Sequence, residues 1–295
     1  MDYLKILKRA FQISIRNKYL WIFGILAGGA GSGFSTSFSD SASYSEKWDK
    51  YFNQISFENF WFNYGNIILV ILAFILILGF FWVILSFIAQ GAILGTVEKI
   101  EKGQKHNFWI GFAFGWHKFW RVFGVGLAIF LIVLLSIIIL ILPIILFVIA
   151  KVYVLAIIYG ILFFFVDLAL WLYLGIVAPY IQRTAVLGDY GVWKAVCSSW
   201  KFFHKNWKEI LVMYLLLMAT GIVAGIAMIL VVLIVGGLLT ALGFALYLAS
   251  QAVFWMYVAV FGFAFIVLML ILSGVIKTFN SSVLTLTYLE LTKNS

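Results

Sequence analysis

The chain has 295 residues, 65% of them hydrophobic and 11% charged, with a mean hydropathy of +1.13. A soluble domain carries about 25% charged residues, so the composition excludes a water-soluble globular fold. The net charge of +9 sits in short basic clusters beside apolar runs, which is a membrane-topology pattern and argues against nucleic-acid binding.

In residues 1–18, Leu4, Leu7, Phe11 and Ile15 recur at steps of three and four and share one helical face. Lys5, Lys8, Arg9, Arg16 and Lys18 complete a basic, amphipathic helix suited to the headgroup plane. A first, short span is expected over 19–34, with Gly28, Gly29, Gly31 and Gly33 available for close packing. This start imitates a signal peptide. The same basic-to-apolar pattern recurs twice inside the chain, so an uncleaved span is expected.

Residues 35–63 are the main polar excursion, with a Ser-rich loop first. An aromatic interfacial helix follows, carrying Trp48, Tyr51, Phe52, Phe60 and Trp61. The second span is expected over 66–95, followed by a charged turn over 98–105 and a Trp/Phe-rich segment ending in Arg121. The third and fourth spans fall at 122–142 and 152–178. Pro143 and Lys151 mark the turn between them, and Pro179 ends the fourth. Residues 182–209 are basic and amphipathic. The fifth and sixth spans fall at 210–235 and 252–276, split by Gly236, Gly237 and a small-residue segment. The last helix continues past Lys277 through Tyr288.

The expected fold is therefore all-α: one polytopic transmembrane bundle of six spans over residues 1–295. The inner segments hold 17 of the 20 lysines and arginines, so both termini are expected to be cytoplasmic. Three basic, aromatic entries each run into a span, at Phe11–Trp21, Phe114–Arg121 and Trp200–Lys208. They suggest three parallel two-helix repeats, over 1–95, 97–179 and 188–295, each opened by a cytoplasmic interfacial helix. Parallel repeats differ from the inverted repeats of many ion-coupled transporters.

Four sequence features resemble one known group. They are Asn17-Lys-Tyr-Leu-Trp-Ile-Phe-Gly24; Glu98 through Glu101-Lys-Gly103 leading to Phe108 and Trp120-Arg121; Ala185-Val-Leu-Gly-Asp-Tyr-Gly-Val-Trp-Lys-Ala195 with Ser199-Trp200 and Asn206-Trp207; and Val283-Leu-Thr-Leu-Thr-Tyr288. The chain resembles the bacterial six-span proteins related to the membrane domain of glycerophosphoryl diester phosphodiesterases. In that group the phosphodiesterase activity belongs to a separate soluble domain, for which this chain has no room. The resemblance therefore implies a bacterial inner-membrane location and carries over no catalytic residue.

Asp167 is the sharpest single position, a carboxylate near the middle of the fourth span, and such a group is a proton- or cation-site hypothesis by default. Hydrogen bonding of a protonated Asp167 to a neighbouring helix is the structural alternative. His106, His117 and His204 lack the carboxylate or cysteine company of a metal site, and Cys197 stands alone. The glycines of 29–33 lack the lysine of a phosphate loop, and Asn280-Ser-Ser282 matches a glycosylation sequon on the side where modification is not expected.

Arg9, Arg16, Lys18, Lys118, Arg121, Lys201, Lys205 and Lys208 are the candidate headgroup contacts at the inner leaflet. The expected function is a multi-pass, lipid-interacting or scaffold-like membrane protein with no cofactor and no catalytic site. A transporter with Asp167 in a polar path is the alternative, and a lipid-modifying enzyme a weaker one.

Overall fold

A computed structural model of the protein describes residues 1–28 and 57–293, and all regular structure in them is helical. In chain order the helices are α1 (Tyr3–Arg16), α2 (Tyr19–Gly28), α3 (Phe57–Glu101), α4 (Phe108–His117), α5 (Phe119–Ile149), α6 (Tyr153–Leu187), α7 (Val192–Lys205), α8 (Trp207–Val231), α9 (Gly237–Ala249) and α10 (Gln251–Lys293). A π-helical turn, Val232–Gly236, joins α8 to α9. Five stretches are long and apolar enough to cross a membrane: Gly65–Glu101, Phe119–Ile149, Tyr153–Leu187, Trp207–Leu248 and Val253–Lys293. The polar excursion as far as residue 56, Gly29, Gly31 and Gly33, and the far end of the expected first span lie outside the described residues.

The core sits at one end of the molecule. Buried residues come from α1 and α2, the last part of α3, the start of α5, the last part of α6, α7, the start of α8 and the last part of α10. This end also holds the basic clusters. Away from it the legs of the helices are bare: at most 6% of each span's most apolar window is buried by protein. Legs such as 67–81, 130–172 and 215–271 expose leucine, isoleucine, valine and phenylalanine on most sides. Apolar surface on this scale needs a hydrocarbon surrounding.

Four expectations about element boundaries need correction. Pro143 and Pro179 neither mark a turn nor end a span. They lie inside α5 and α6, and the turn between those helices is at Ala150–Val152, where Lys151 takes φ +59°. Gly236 and Gly237 lie in the uninterrupted run from α8 to α9, and the chain reverses at Ser250. Residues 57–63 belong to the backbone of α3 and continue directly into its span. The last helix does run past Lys277 and Tyr288, as its sequence implies.

The prolines are accommodated by a shared device. A proline has no N–H to give the carbonyl four residues earlier, and in a bilayer no water can replace it. Pro143 deprives Ile139, whose carbonyl accepts the Tyr159 hydroxyl at 2.7 Å, from α6. Pro179 deprives Gly175, whose carbonyl accepts the Tyr214 hydroxyl at 3.2 Å, from α8. Each proline site is thereby tied to a neighbouring helix. A similar tie joins α9 and α10, where Tyr257 of α10 donates to the Leu239 carbonyl of α9 at 2.8 Å.

Two close helix crossings hold the core. Gly91 and Gly95 of α3 meet Gly111 and Gly115 of α4, a pair of small-residue rows at four-residue spacing. A Cβ on Gly115 would overlap the Ile88 carbonyl, and one on Gly95 would overlap the Phe114 ring. The second crossing sets Gly24 of α2 on Gly274 of α10, where the Thr278 hydroxyl also donates to the Leu20 carbonyl at 3.0 Å. Among the described glycines of α2, Gly24 makes this close approach. Glycine is needed here for backbone approach, because any side chain would hold the helices apart.

Helix α1 also packs differently from its pattern. Its buried face is Ile6, Ala10 and Ile13, set against α10, while Leu4, Phe11 and Ile15 stay exposed. The apolar stripe legible in the sequence is thus the face left free, and tertiary packing takes the adjacent one.

Tyr159→Phe should destabilise the detergent-solubilised protein by about 1 kcal/mol, the usual scale for an orphaned buried acceptor. Pro143→Ala supplies the missing N–H, so in the double variant Tyr159→Phe should cost almost nothing. Unfolding midpoints of the four proteins in that cycle measure the coupling. Gly115→Ala should cost about 1–3 kcal/mol by overpacking, whereas Gly225→Ala, in open space, should leave the midpoint unchanged.

Candidate anion sites at the basic end

The basic end offers two cationic environments, one on its rim and one inside. The rim is formed by α1, α4, α7 and the first turns of the helices that follow them. Six tryptophans stand exposed there: Trp109 and Trp116 on α4, Trp120 on α5, Trp193 and Trp200 on α7, and Trp207 on α8. Trp193 is 80% exposed and Trp120 75%. These rings are interleaved with the basic residues. The breaks between short helix and span are tight. Asn17 and Asn206 each turn back to cap the carbonyl four residues earlier, Ile13 and Phe202, at 3.0 Å in both cases.

The eight expected headgroup cations divide into groups. Arg9 is paired with Glu101 at 3.2 Å. Lys118 and Arg121 both pair with Asp189, which takes φ +61° in the turn after α6 and so clamps the α4–α5 junction. Partial burial and the neighbouring Arg121 hold the Lys118 ammonium below its ordinary pKa, with Glu98 acting in the opposite direction. These three charges are largely compensated. Arg16, Lys18, Lys201 and Lys208 are exposed and make no ion pair among the described residues, and Lys208 lies 5.8 Å from the Trp207 ring centroid. Lys205 is exposed on the same last turn of α7 as His204.

The interior site was not foreseen as a site. Arg183, one helical turn past Pro179, is only 3% exposed. Its Nε donates to the Thr285 hydroxyl at 3.2 Å, its Nη1 to the Pro179 carbonyl at 2.6 Å and its Nη2 to the Ser281 carbonyl at 3.0 Å. Every one of these acceptors is neutral. A guanidinium cannot shed its charge, and the effective penalty for burying an ion is several kcal/mol. Neutral hydrogen bonds reduce that penalty and leave the charge in place.

Arg183 lines a cavity of about 410 Å³ bounded by α2, α3, α6 and α10. Lys277 of α10 lines it too, half-buried, with no hydrogen bond or ion pair to a described residue. Gln90, Gln182, Asn280 and Ser281 supply neutral polar groups, while Phe87, Ile93, Leu94 and Leu284 supply apolar wall. Among the described residues no aspartate or glutamate lines the cavity. Gln90 lies 11 residues before Glu101 at the charged end of α3, so the cavity sits about 16 Å along that helix.

The remaining candidates lie apart. Asp167 is half-buried on α6, 16 residues or about 24 Å from Arg183, and makes no hydrogen bond or ion pair with a described residue. His106 lies in the loop before α4, His117 on α4 and His204 on α7, and no group of three His, Cys, Asp or Glu is placed to hold a metal among the described residues. Cys197 is exposed on α7. The sequence signal for the interior site was present but weak. It is an arginine directly after an apolar span, and a Ser/Thr row at 278, 281, 282 and 285 on the last helix.

Five long apolar helices joined at a packed base place the chain among helical membrane proteins. It belongs to a family of unknown function, DUF7544, whose model matches residues 19–291. No curated protein and no solved structure matches it.

Asp189→Asn keeps a residue type that tolerates positive φ and removes the charge that receives Lys118 and Arg121. Because Asp189 is well exposed, the loss should stay below about 1 kcal/mol and should vanish in high salt. Paired melts at low and high ionic strength test this.

Proposed function

We propose that the protein is a non-catalytic, lipid-interacting component of the bacterial inner membrane, with both termini cytoplasmic and its basic rim on the inner leaflet. The observation that carries this reading is the rim itself. Six exposed tryptophans share the short helices and span starts at one end of the molecule with the basic residues, and Lys194, Lys201 and Lys208 stand exposed directly beside Trp193, Trp200 and Trp207. Tryptophan at the headgroup level satisfies an apolar ring and a polar N–H together. Each basic residue at an anionic surface contributes about 1 kcal/mol. The exposed Leu4, Phe11 and Ile15 of α1 fit the same depth.

The threefold order of short helix, tight break and span supports a reading as three parallel repeats. The sixth span belongs to that reading: α2 would continue outward beyond Gly28. Kinship with the membrane part of glycerophosphoryl diester phosphodiesterases is a further proposal, supported by the entry motifs at Asn17 and Asn206, which occupy matching breaks. Transport through Asp167 has less support, because that carboxylate does not line the Arg183 cavity.

The test is the lipid shell of the reconstituted protein. In nanodiscs of mixed phosphatidylcholine and phosphatidylglycerol, the wild type should enrich the anionic lipid. Lys201→Glu with Lys208→Glu should remove most of that enrichment, about 1 kcal/mol per altered charge. Equal shells for both proteins would sink the rim reading.

A further inference from the structure

We propose that the cavity between α2, α3, α6 and α10 binds one phosphate group through Arg183 and Lys277, and that a phospholipid supplies it. The inference rests on the membrane placement proposed above, but it concerns a discrete interior site and not the rim. Four observations converge on it. The guanidinium is buried, permanently charged and bonded only to neutral acceptors. A second cation, Lys277, shares the cavity and lies close enough for the two charges to repel each other. Among the described residues no carboxylate lines the cavity to compensate either. The cavity is large enough to admit a headgroup.

An anion between or beside two such cations relieves both their mutual repulsion and the cost of burying them. Phosphate suits this arrangement because it accepts several hydrogen bonds at once, from the free N–H of the guanidinium, from the ammonium and from amides such as Gln90 and Asn280. Hydrogen bonds from Thr285, Ser281 and Pro179 fix the guanidinium plane, so it is already oriented before a ligand arrives.

The walls decide between the two sources of phosphate. A free phosphate ion would be served best by a fully polar lining. Here Phe87, Ile93, Leu94 and Leu284 continue the cavity with apolar surface, which suits acyl or glycerol carbons attached to the phosphate. A basic pocket between helices near the inner headgroup level is also where anionic phospholipids are held. The site lies about 16 Å along α3 from that helix's charged end, within reach of a lipid entering between the legs.

The experiment compares lipid retention by native mass spectrometry after detergent purification and delipidation. The protein is then titrated with phosphatidylglycerol, phosphatidylcholine or inorganic phosphate. The wild type should keep one phosphatidylglycerol through conditions that strip phosphatidylcholine. Lys277→Gln removes a side chain that makes no hydrogen bond or ion pair with a described residue, so folding should be unaffected while affinity falls at least about tenfold. Arg183→Lys, which keeps charge but loses the fork, should weaken retention as well, and its melting curve separates loss of site from loss of fold. Lys201→Glu with Lys208→Glu, altering the rim alone, should leave the single retained lipid in place even where it empties the enriched shell. That separates failure of this site from failure of the rim reading. Displacement by millimolar inorganic phosphate would support the phosphate site and assign it to the free ion. Equal retention of the two lipids by the wild type, or undiminished retention by Lys277→Gln, would overturn the proposal.

Discussion

Every backbone carbonyl that crosses hydrocarbon must find a donor, and this one requirement explains where the chain bends and where it does not. The two prolines of the sequence both sit in the middle of helices, which would be costly in an isolated segment. Each is tolerated because a tyrosine on an adjacent helix donates to the carbonyl the proline leaves open. The same requirement keeps the helix intact through Gly236 and Gly237, where a π-helical turn widens the spiral without exposing the backbone. At the far ends of the described legs the chain turns at Lys151 and Ser250.

Stability is concentrated at the base. There the helices approach through glycines, and the last helix presents a seam of hydroxyls in place of a purely apolar stripe. Thr278, Ser281 and Thr285 each accept from or donate to a group on another helix, and Ser199 donates to the buried Thr184. Interhelical hydrogen bonds in membranes are worth on average about 0.6 kcal/mol each, so no single contact dominates. Protein covers little of the surface of the legs, and the surrounding lipid packs against the rest. The base is therefore the part that fixes the positions of charged groups, and both cationic environments are found there.

Much of this was legible in the sequence, and the rest was hidden for identifiable reasons. The all-helical membrane class follows from composition, and the long final helix follows from its unbroken pattern through Tyr288. The prolines misled because their usual effect is local, while the compensation comes from Tyr159 and Tyr214, 16 and 35 residues further along the chain. The stripe Leu4–Leu7–Phe11–Ile15 shows that α1 is amphipathic but not which face meets protein, because two neighbouring faces are apolar enough to be buried. Arg183 was counted only as one of the inner-leaflet charges. Its burial depends on Thr285 and Ser281, about a hundred residues distant, a pairing that no local pattern encodes.

The seating of α1 and α2 on α10 also sets an order of events in time. Ser14 donates to the Val275 carbonyl and Thr278 to the Leu20 carbonyl, contacts separated by 261 and 258 residues. At a synthesis rate of about 5–20 residues per second, the first helices wait roughly 13–50 s for their partner to emerge. Throughout that interval the Gly24 face and the buried face of α1 have only lipid or the insertion machinery against them. The base of the molecule can therefore close only after the last helix has been inserted, and the earliest segments made are among the last to reach their final place.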